Sequence, residues 1–316
     1  MRRESTPVTV ADLLRHKRVA ALGLQVLTGA QALDGEISSP RVQKPGLALA
    51  GYLPYVRPGR VQVIGASEAQ YLATQSPRVV EERVRQLVEL RPPLFVIAKA
   101  LDEAVRIFQP HCQRLGVPLA LTSVGTSEVI ERLSACLEFL LAPREIKHGD
   151  LLDIFAIGVL LLGDSGLGKS ECALELVHRG HRLVADDVVE VYRLRNEELI
   201  GQAPEDLRGL MEVRGLGLIS IEQLFGVVAV RDNKPIDLVI QLVPESAGNP
   251  ERLGLDGSTI DLAGVSRPLL NLPVAPGRNL ALLVECAARK YLLGQRGVAD
   301  AAVDFLMRRD RKLGAL

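Results

Sequence analysis

The sequence predicts an α/β protein of two domains, an N-terminal α/β domain over residues 1–142 and a C-terminal phosphate-loop domain over 143–316. Three observations predict it. The chain has 316 residues, enough for two hydrophobic cores. Short apolar runs alternate with helix-period segments through the first half, as in a parallel or mixed sheet covered by helices. In the second half, Gly163-Asp164-Ser165-Gly166-Leu167-Gly168-Lys169-Ser170 spells G-x-x-x-x-G-K-S between an apolar run at 157–162 and a helical stretch at 171–179 that Gly180 ends.

In chain order, Thr9 is placed to cap a short helix over 10–16. Apolar runs at 47–53, 61–65, 95–98 and 119–122 read as strands, with helical patterns at 78–90 and 101–115 between them. A connecting helix follows at 126–141, and then Pro143 with the charged run 144–147, which reads as a linker. The adjacent His111 and Cys112 do not converge on one metal and read as part of a surface helix.

The second domain begins near His148. After the phosphate-loop helix, strands are expected at 182–185, 188–193, 227–230 and 236–243, with Asn196 in a hairpin turn and Asn233-Lys234-Pro235 in another turn. Asn279 is placed to cap a helix over 280–293, and 298–313 reads as an amphipathic helix. His178 and His181 flank the end of the phosphate-loop helix and read as cap and surface residues.

Composition narrows the function classes. Lys+Arg and Asp+Glu both number 38, so no basic excess points to nucleic acid, and the absence of Trp argues against base-stacking platforms. The four cysteines are scattered and form no C-x-x-C, which fits a reducing cytoplasm; Cys172 reads as a small buried residue. No long apolar core follows the first residues, so neither a signal peptide nor a membrane segment is expected.

The chemistry starts at the loop. A strand, a Gly-rich turn and a helix start aim backbone N–H groups at one point, which is an anion site. Lys169 adds a charge for terminal phosphates and the Ser170 hydroxyl can reach Mg²⁺. Asp186 and Asp187 end the run 182–185, where a carboxylate can hold Mg²⁺ or act as a base, and two adjacent acids raise the pKa of one. Glu212-Val213-Arg214-Gly215-Leu216-Gly217 is Gly-rich and charged, either a simple turn or a backbone that approaches a ligand.

Together these segments resemble the bacterial HPr kinase/phosphorylase family. The likeness rests on His148-Gly149, residues 163–171, 182–187 and 212–220, Arg252-Leu253-Gly254 and Pro276-Gly277-Arg278-Asn279, with looser matches at 44–52 and 61–65. It implies a phosphoenolpyruvate-carboxykinase-like mixed sheet in the second domain. It also implies a bifunctional enzyme that phosphorylates a regulatory serine of the phosphocarrier HPr with ATP or pyrophosphate, and reverses this with inorganic phosphate to give pyrophosphate. By motif match, His148, Lys169, Asp187 and Arg252 fall on catalytic positions, with Asp187 as acid/base; the adjacent Asp186 charge would help hold that pKa within reach of neutrality. Ser170 and Glu212 fall on Mg²⁺ ligands. Residues 211–220 match a segment used in both directions, and Pro273, Val274, Ala275, Pro276, Gly277 and Arg278 match a loop used in dephosphorylation. The chain departs from the family at Ala275, where a basic residue is common, so Arg278 is that loop's cation. The resemblance further implies a homo-hexamer.

Rival readings are a regulatory GTPase, a transport ATPase, a small-molecule kinase of the same fold group and a nucleotide-dependent binding module. Asn233-Lys234-Pro235-Ile236-Asp237 has one residue too many for the guanine-reading N-K-x-D, and no Leu-Ser-Gly-Gly-Gln segment occurs. Phosphate transfer to HPr separates the remaining two from the main reading.

Overall fold

The computed structural model describes residues 7–245, 258–275 and 277–297. The chain divides between Ala142 and Pro143 into two compact units.

The first unit is a four-stranded sheet in the order Gln25–Thr28, Leu119–Leu121, Phe95–Ile97, Gln62–Ile64. The last three strands are parallel and Gln25–Thr28 is an antiparallel edge. Side chains alternate between the two faces of a strand. Val63, Val96 and Ala120 therefore face one core, while Ile64, Ile97 and Leu119 face another. Helices cover both faces, as a parallel sheet requires. One expectation fails here. Residues 47–53 form no strand; Gly46–Leu49 is a helix and Leu53–Tyr55 a 3₁₀ turn. Leu and Ala favour helix, and the run lacks the β-branched residues that favour strand. His111 also lies buried rather than on the surface. It faces the helix Pro77–Glu89, with Nε2 3.3 Å from Glu81 Oε1.

The second unit holds a six-stranded mixed sheet in the order Arg182–Ala185, Asp150–Ile154, Ile157–Leu162, Leu238–Pro244, Val265–Val274, Thr259–Leu262. Ile157–Leu162, Leu238–Pro244 and Val265–Val274 run parallel, and the flanking pairs are antiparallel. Every residue of Ile157–Leu162 is buried. Val159 and Leu161 pack toward the helices Lys169–His178 and Leu280–Gln295, and Leu160 and Leu162 toward the second sheet. That sheet is antiparallel, in the order Asn233–Pro235, Leu199–Gln202, Val188–Arg193, Arg144–His148.

Three further expectations change. The charged run at 144–147 is an edge strand, not a linker; it pairs with Val188–Arg193, and its charges suit an edge. Val227–Ala229 is a 3₁₀ turn rather than a strand. Asn233–Pro235 is an edge strand rather than a turn, and Lys234 is buried with Nζ 3.1 Å from Asp153 Oδ1. Phe155 and Ala156, both at positive φ, form the tight hairpin before Ile157 with no glycine to signal it. The expected helix at 298–313 lies outside the described residues. Among the described residues no helix is long and apolar enough to cross a membrane.

Candidate active site

The three parallel strands end at one edge of the mixed sheet, the edge at which α/β sheets place ligands. Residues 163–170 leave that edge from Leu162. Gly163 has φ +151°, and a Cβ there would press on Leu242 of the neighbouring strand, so the turn requires glycine. Gly168, at φ +79°, caps the helix Lys169–His178 without a side-chain hydrogen bond. The first-turn N–H groups of that helix are thus left to a ligand. Lys169 folds over the loop, Nζ donating to the carbonyl oxygens of Gly163 at 2.8 Å and Asp164 at 3.1 Å.

His148 ends its strand opposite Val188, which places it beside Asp186 and Asp187. A Cβ on the next residue, Gly149, would overlap the Leu161 carbonyl, so packing requires glycine there. Asp187 takes φ +61°, a left-handed backbone that a non-glycine residue adopts at a cost of about 1–2 kcal/mol. Its side chain is exposed, whereas Asp186 turns inward and is buried.

Asp186 interacts with two carboxyl groups, Asp187 and a second one. Its closest carboxyl partner is Asp150, a fully buried residue that the sequence reading passed over. Burial pushes Asp186 upward, opposed by the Glu212 N–H that donates to its Oδ2 at 3.0 Å and by the Ser170 hydroxyl. Burial, and then the Asp186 charge, push Asp150 from 3.8 to about 7. Asp150 Oδ1 accepts the Asp187 N–H at 3.1 Å, while Asp150 Oδ2 and Asp186 Oδ1 are buried without a hydrogen-bond donor.

Glu212 lies on the hairpin of Leu210–Val213 with Gly217–Ser220. Met211 and Val213 point into the core near Cys172 and Leu176, so strand alternation turns Glu212 outward. A cleft of about 430 Å³ gathers His148, Asp150, Lys169, Ser170, Asp186, Asp187, Glu212 and Arg214 with the loop glycines. Arg214 was not singled out from sequence; its Nη2 lies 3.9 Å from where a Cβ of Gly166 would stand. Arg214 stands in the turn after Leu210–Val213, inside the Gly-rich stretch quoted above, whereas Asp150 carries no motif and only strand register reveals it.

Arg252 and Pro276 fall outside the described residues. Pro273 and Val274 end the strand Val265–Val274, and the Arg278 N–H donates to the Ala275 carbonyl at 3.2 Å. The Arg278 guanidinium lies 3.3 Å from Glu245. Asn279 caps Leu280–Gln295 through Leu282 and donates to Glu175 of the loop helix at 2.9 Å, which ties the segment after 275 to that helix. His181 is buried rather than on the surface, bonded to Glu285 at 2.8 Å and edge-on to Phe155. Cys172 is buried, and burial pushes its thiol up to about 12; the four cysteines are free.

The acid pair carries a pH signature. A raised carboxyl pKa means that the folded chain keeps a proton the unfolded chain gives up near pH 4. Between about pH 4 and about pH 7 the folded state binds more protons, so this pair lowers stability as pH rises. Asp150→Asn, which never ionises, is expected to flatten that slope and to gain on the wild type as pH rises. Urea midpoints at about pH 5 and about pH 7.5 check this, and an equal gap at both would refute it.

Comparison with known proteins places these features in a family. The family described as HPr Serine kinase N terminus matches residues 8–137, and that described as HPr Serine kinase C-terminal domain matches residues 140–309. An HPr kinase/phosphorylase of Geobacter sulfurreducens is 42% identical over 298 residues, covering 94% of this chain and 93% of the relative. One from Exiguobacterium is 41% identical over 279 residues, covering 88% and 89%. A solved structure, the Hpr(Ser) kinase/phosphatase from Coxiella burnetii, is 34% identical with a TM-score of 0.45, covering 48% of this chain and 99% of that one. Matched in both halves and about 40% identical to such relatives along nearly its whole length, the chain belongs to the HPr serine kinase family.

Proposed function

We propose that the cleft transfers a phosphoryl group from ATP to a regulatory serine of HPr, and in reverse moves it to inorganic phosphate to give pyrophosphate. One observation carries this reading: the phosphate loop, the exposed Asp187 and the outward Glu212 line one cleft. Phosphoryl transfer needs positioning and charge neutralisation more than covalent chemistry. The loop N–H groups and Lys169 hold the donor phosphates. Asp187, open to solvent, takes the proton of the incoming serine hydroxyl. In phosphorolysis the same carboxyl, protonated, returns a proton to the leaving serine oxygen, as reversibility requires of the pyrophosphate-driven step.

The residues present fit Mg²⁺. Ser170 stands beside the buried Asp186, whose Oδ1 lacks a donor, and Glu212 is exposed at the rim, so the available donors are oxygens, as a hard cation prefers. Among the described residues no three His, Cys, Asp or Glu side chains form a metal site of their own. Mg²⁺ commonly takes one or two protein ligands and completes its shell with phosphate and water. Ser170 and Glu212 would hold it, and when bound it offsets the charge on the bridging phosphate oxygens.

His148, exposed beside the Asp187 bend, is assigned to a phosphate, and Arg252 to the phosphate oxygens of the transition state. The loop of Pro273 to Arg278 serves the reverse reaction through Arg278. Assembly as a homo-hexamer belongs to the same reading, and light scattering checks it. The reading as a whole is tested with ATP, Mg²⁺ and purified HPr, and then with phosphorylated HPr and inorganic phosphate. Serine phosphorylation in the first and pyrophosphate release in the second are expected. ATP binding without transfer would instead favour a nucleotide-dependent switch module.

A further inference from the structure

We infer that Asp150 is a positioning residue, whose carboxyl oxygen clamps the backbone of Asp187 so that the Asp187 side chain faces the reacting phosphate. This rests on the reading of Asp187 as acid/base. Asp150 opens the strand Asp150–Ile154, in which every position is buried, and it stands opposite Leu161. A buried strand position next to Leu151 and Leu152 is served for packing by an apolar residue. A carboxyl group there is costly to desolvate, so stability alone does not explain it.

Its contacts point to another use. Asp150 Oδ1 accepts the N–H of Asp187 at 3.1 Å, and the Asp187 carbonyl accepts the N–H of Gly149 at 2.9 Å. Two consecutive residues, Gly149 and Asp150, thus hold both peptide groups of Asp187. The Val188 N–H closes the bend on the Asp186 carbonyl at 2.7 Å. The held residue is the one at φ +61°, which reverts to a right-handed or extended backbone unless its surroundings fix it. Such a change would swing the exposed carboxylate out of the cleft. Asp186 extends the clamp, since its Oδ2 accepts the Glu212 N–H at 3.0 Å. The bend that presents Asp187 is thereby joined to the hairpin that presents Glu212.

The test uses the full chain with HPr, ATP and Mg²⁺. Asp150→Val removes the acceptor at similar volume, and Asp150→Ala is made beside it so that a poorly packed Val does not decide the result. Both are expected to lower kcat about ten- to a hundredfold, the scale of a misplaced catalytic group, with the KM for ATP within about threefold of wild type. Asp150→Asn keeps an oxygen for the Asp187 N–H and is expected to recover most of that loss. In an Asp187→Asn background, Asp150→Val is expected to cost nothing more, because its effect passes through Asp187. Full kcat in Asp150→Val and Asp150→Ala, with Asp187→Asn depressed, overturns the clamp and leaves the acid/base reading standing. Activity in Asp187→Asn within about tenfold of wild type overturns that reading instead. An Asn variant as poor as the Val variant, or additive losses in the double variant, also defeats the clamp.

Discussion

Asp187→Asn is expected to depress phosphorylation of HPr and its reversal together, by about 10²–10⁴-fold, while ATP binds nearly as before. Asp187 is exposed at the cleft, and among the described residues its carboxylate makes no ion pair that would fall apart on substitution. Asparagine matches its size, and the backbone N–H that Asp150 accepts remains, so the bend has no reason to move. Only the capacity to take and return a proton is lost. General acid–base catalysis contributes about 10²–10⁴-fold, so kcat is expected to fall by that factor, about 3–5 kcal/mol of barrier. With pyrophosphate as donor the two directions must fall alike in kcat/KM, since phosphorolysis then crosses the same transition state from the other side. Initial rates of serine phosphorylation and of pyrophosphate release, with the ATP Kd alongside, check this. A variant that loses one direction and keeps the other would show that a second group carries a proton.

The parts of this site legible in the sequence are those set by local rules. A glycine turn before a helix, and acids at a strand end, are written in consecutive residues, and the structure places both at one sheet edge. Asp150 was not legible. In the run Asp150-Leu151-Leu152-Asp153-Ile154 the acids read as a polar boundary, yet the whole run is a buried strand. What makes Asp150 informative is a bend 37 positions away, and that separation is spanned only when the strand registers are known. His181 was misread for the same reason. A histidine after a helix end looks like a surface cap until Glu285, 104 residues on, is seen beside it. In the first unit the failure at 47–53 was of another kind, with apolar length weighed over the helix preference of Leu and Ala.

Lys169→Ala is expected to act differently from Asp187→Asn, weakening donor binding as well as turnover. The Lys169 ammonium is half-buried and donates to two carbonyls of its own loop, so it both charges the loop and holds its shape. A hydrogen bond to a charged group contributes about 1.5–3 kcal/mol, which places the loss of ATP affinity at about ten- to a hundredfold. The effect on kcat is expected to be larger, about 10²–10³-fold, because charge on the transferring group grows in the transition state. Lys169→Arg is not expected to restore either, since a planar guanidinium cannot follow the point-charge geometry of the loop carbonyls. Calorimetric titration with ATP and with pyrophosphate separates this from a general loss of fold. The cradle aims N–H groups and one ammonium at phosphate and reads no base, so both ligands should weaken by the same factor. A loss confined to ATP would mean that Lys169 acts on some other part of the nucleotide, and an unchanged Kd for both would remove Lys169 from the cradle.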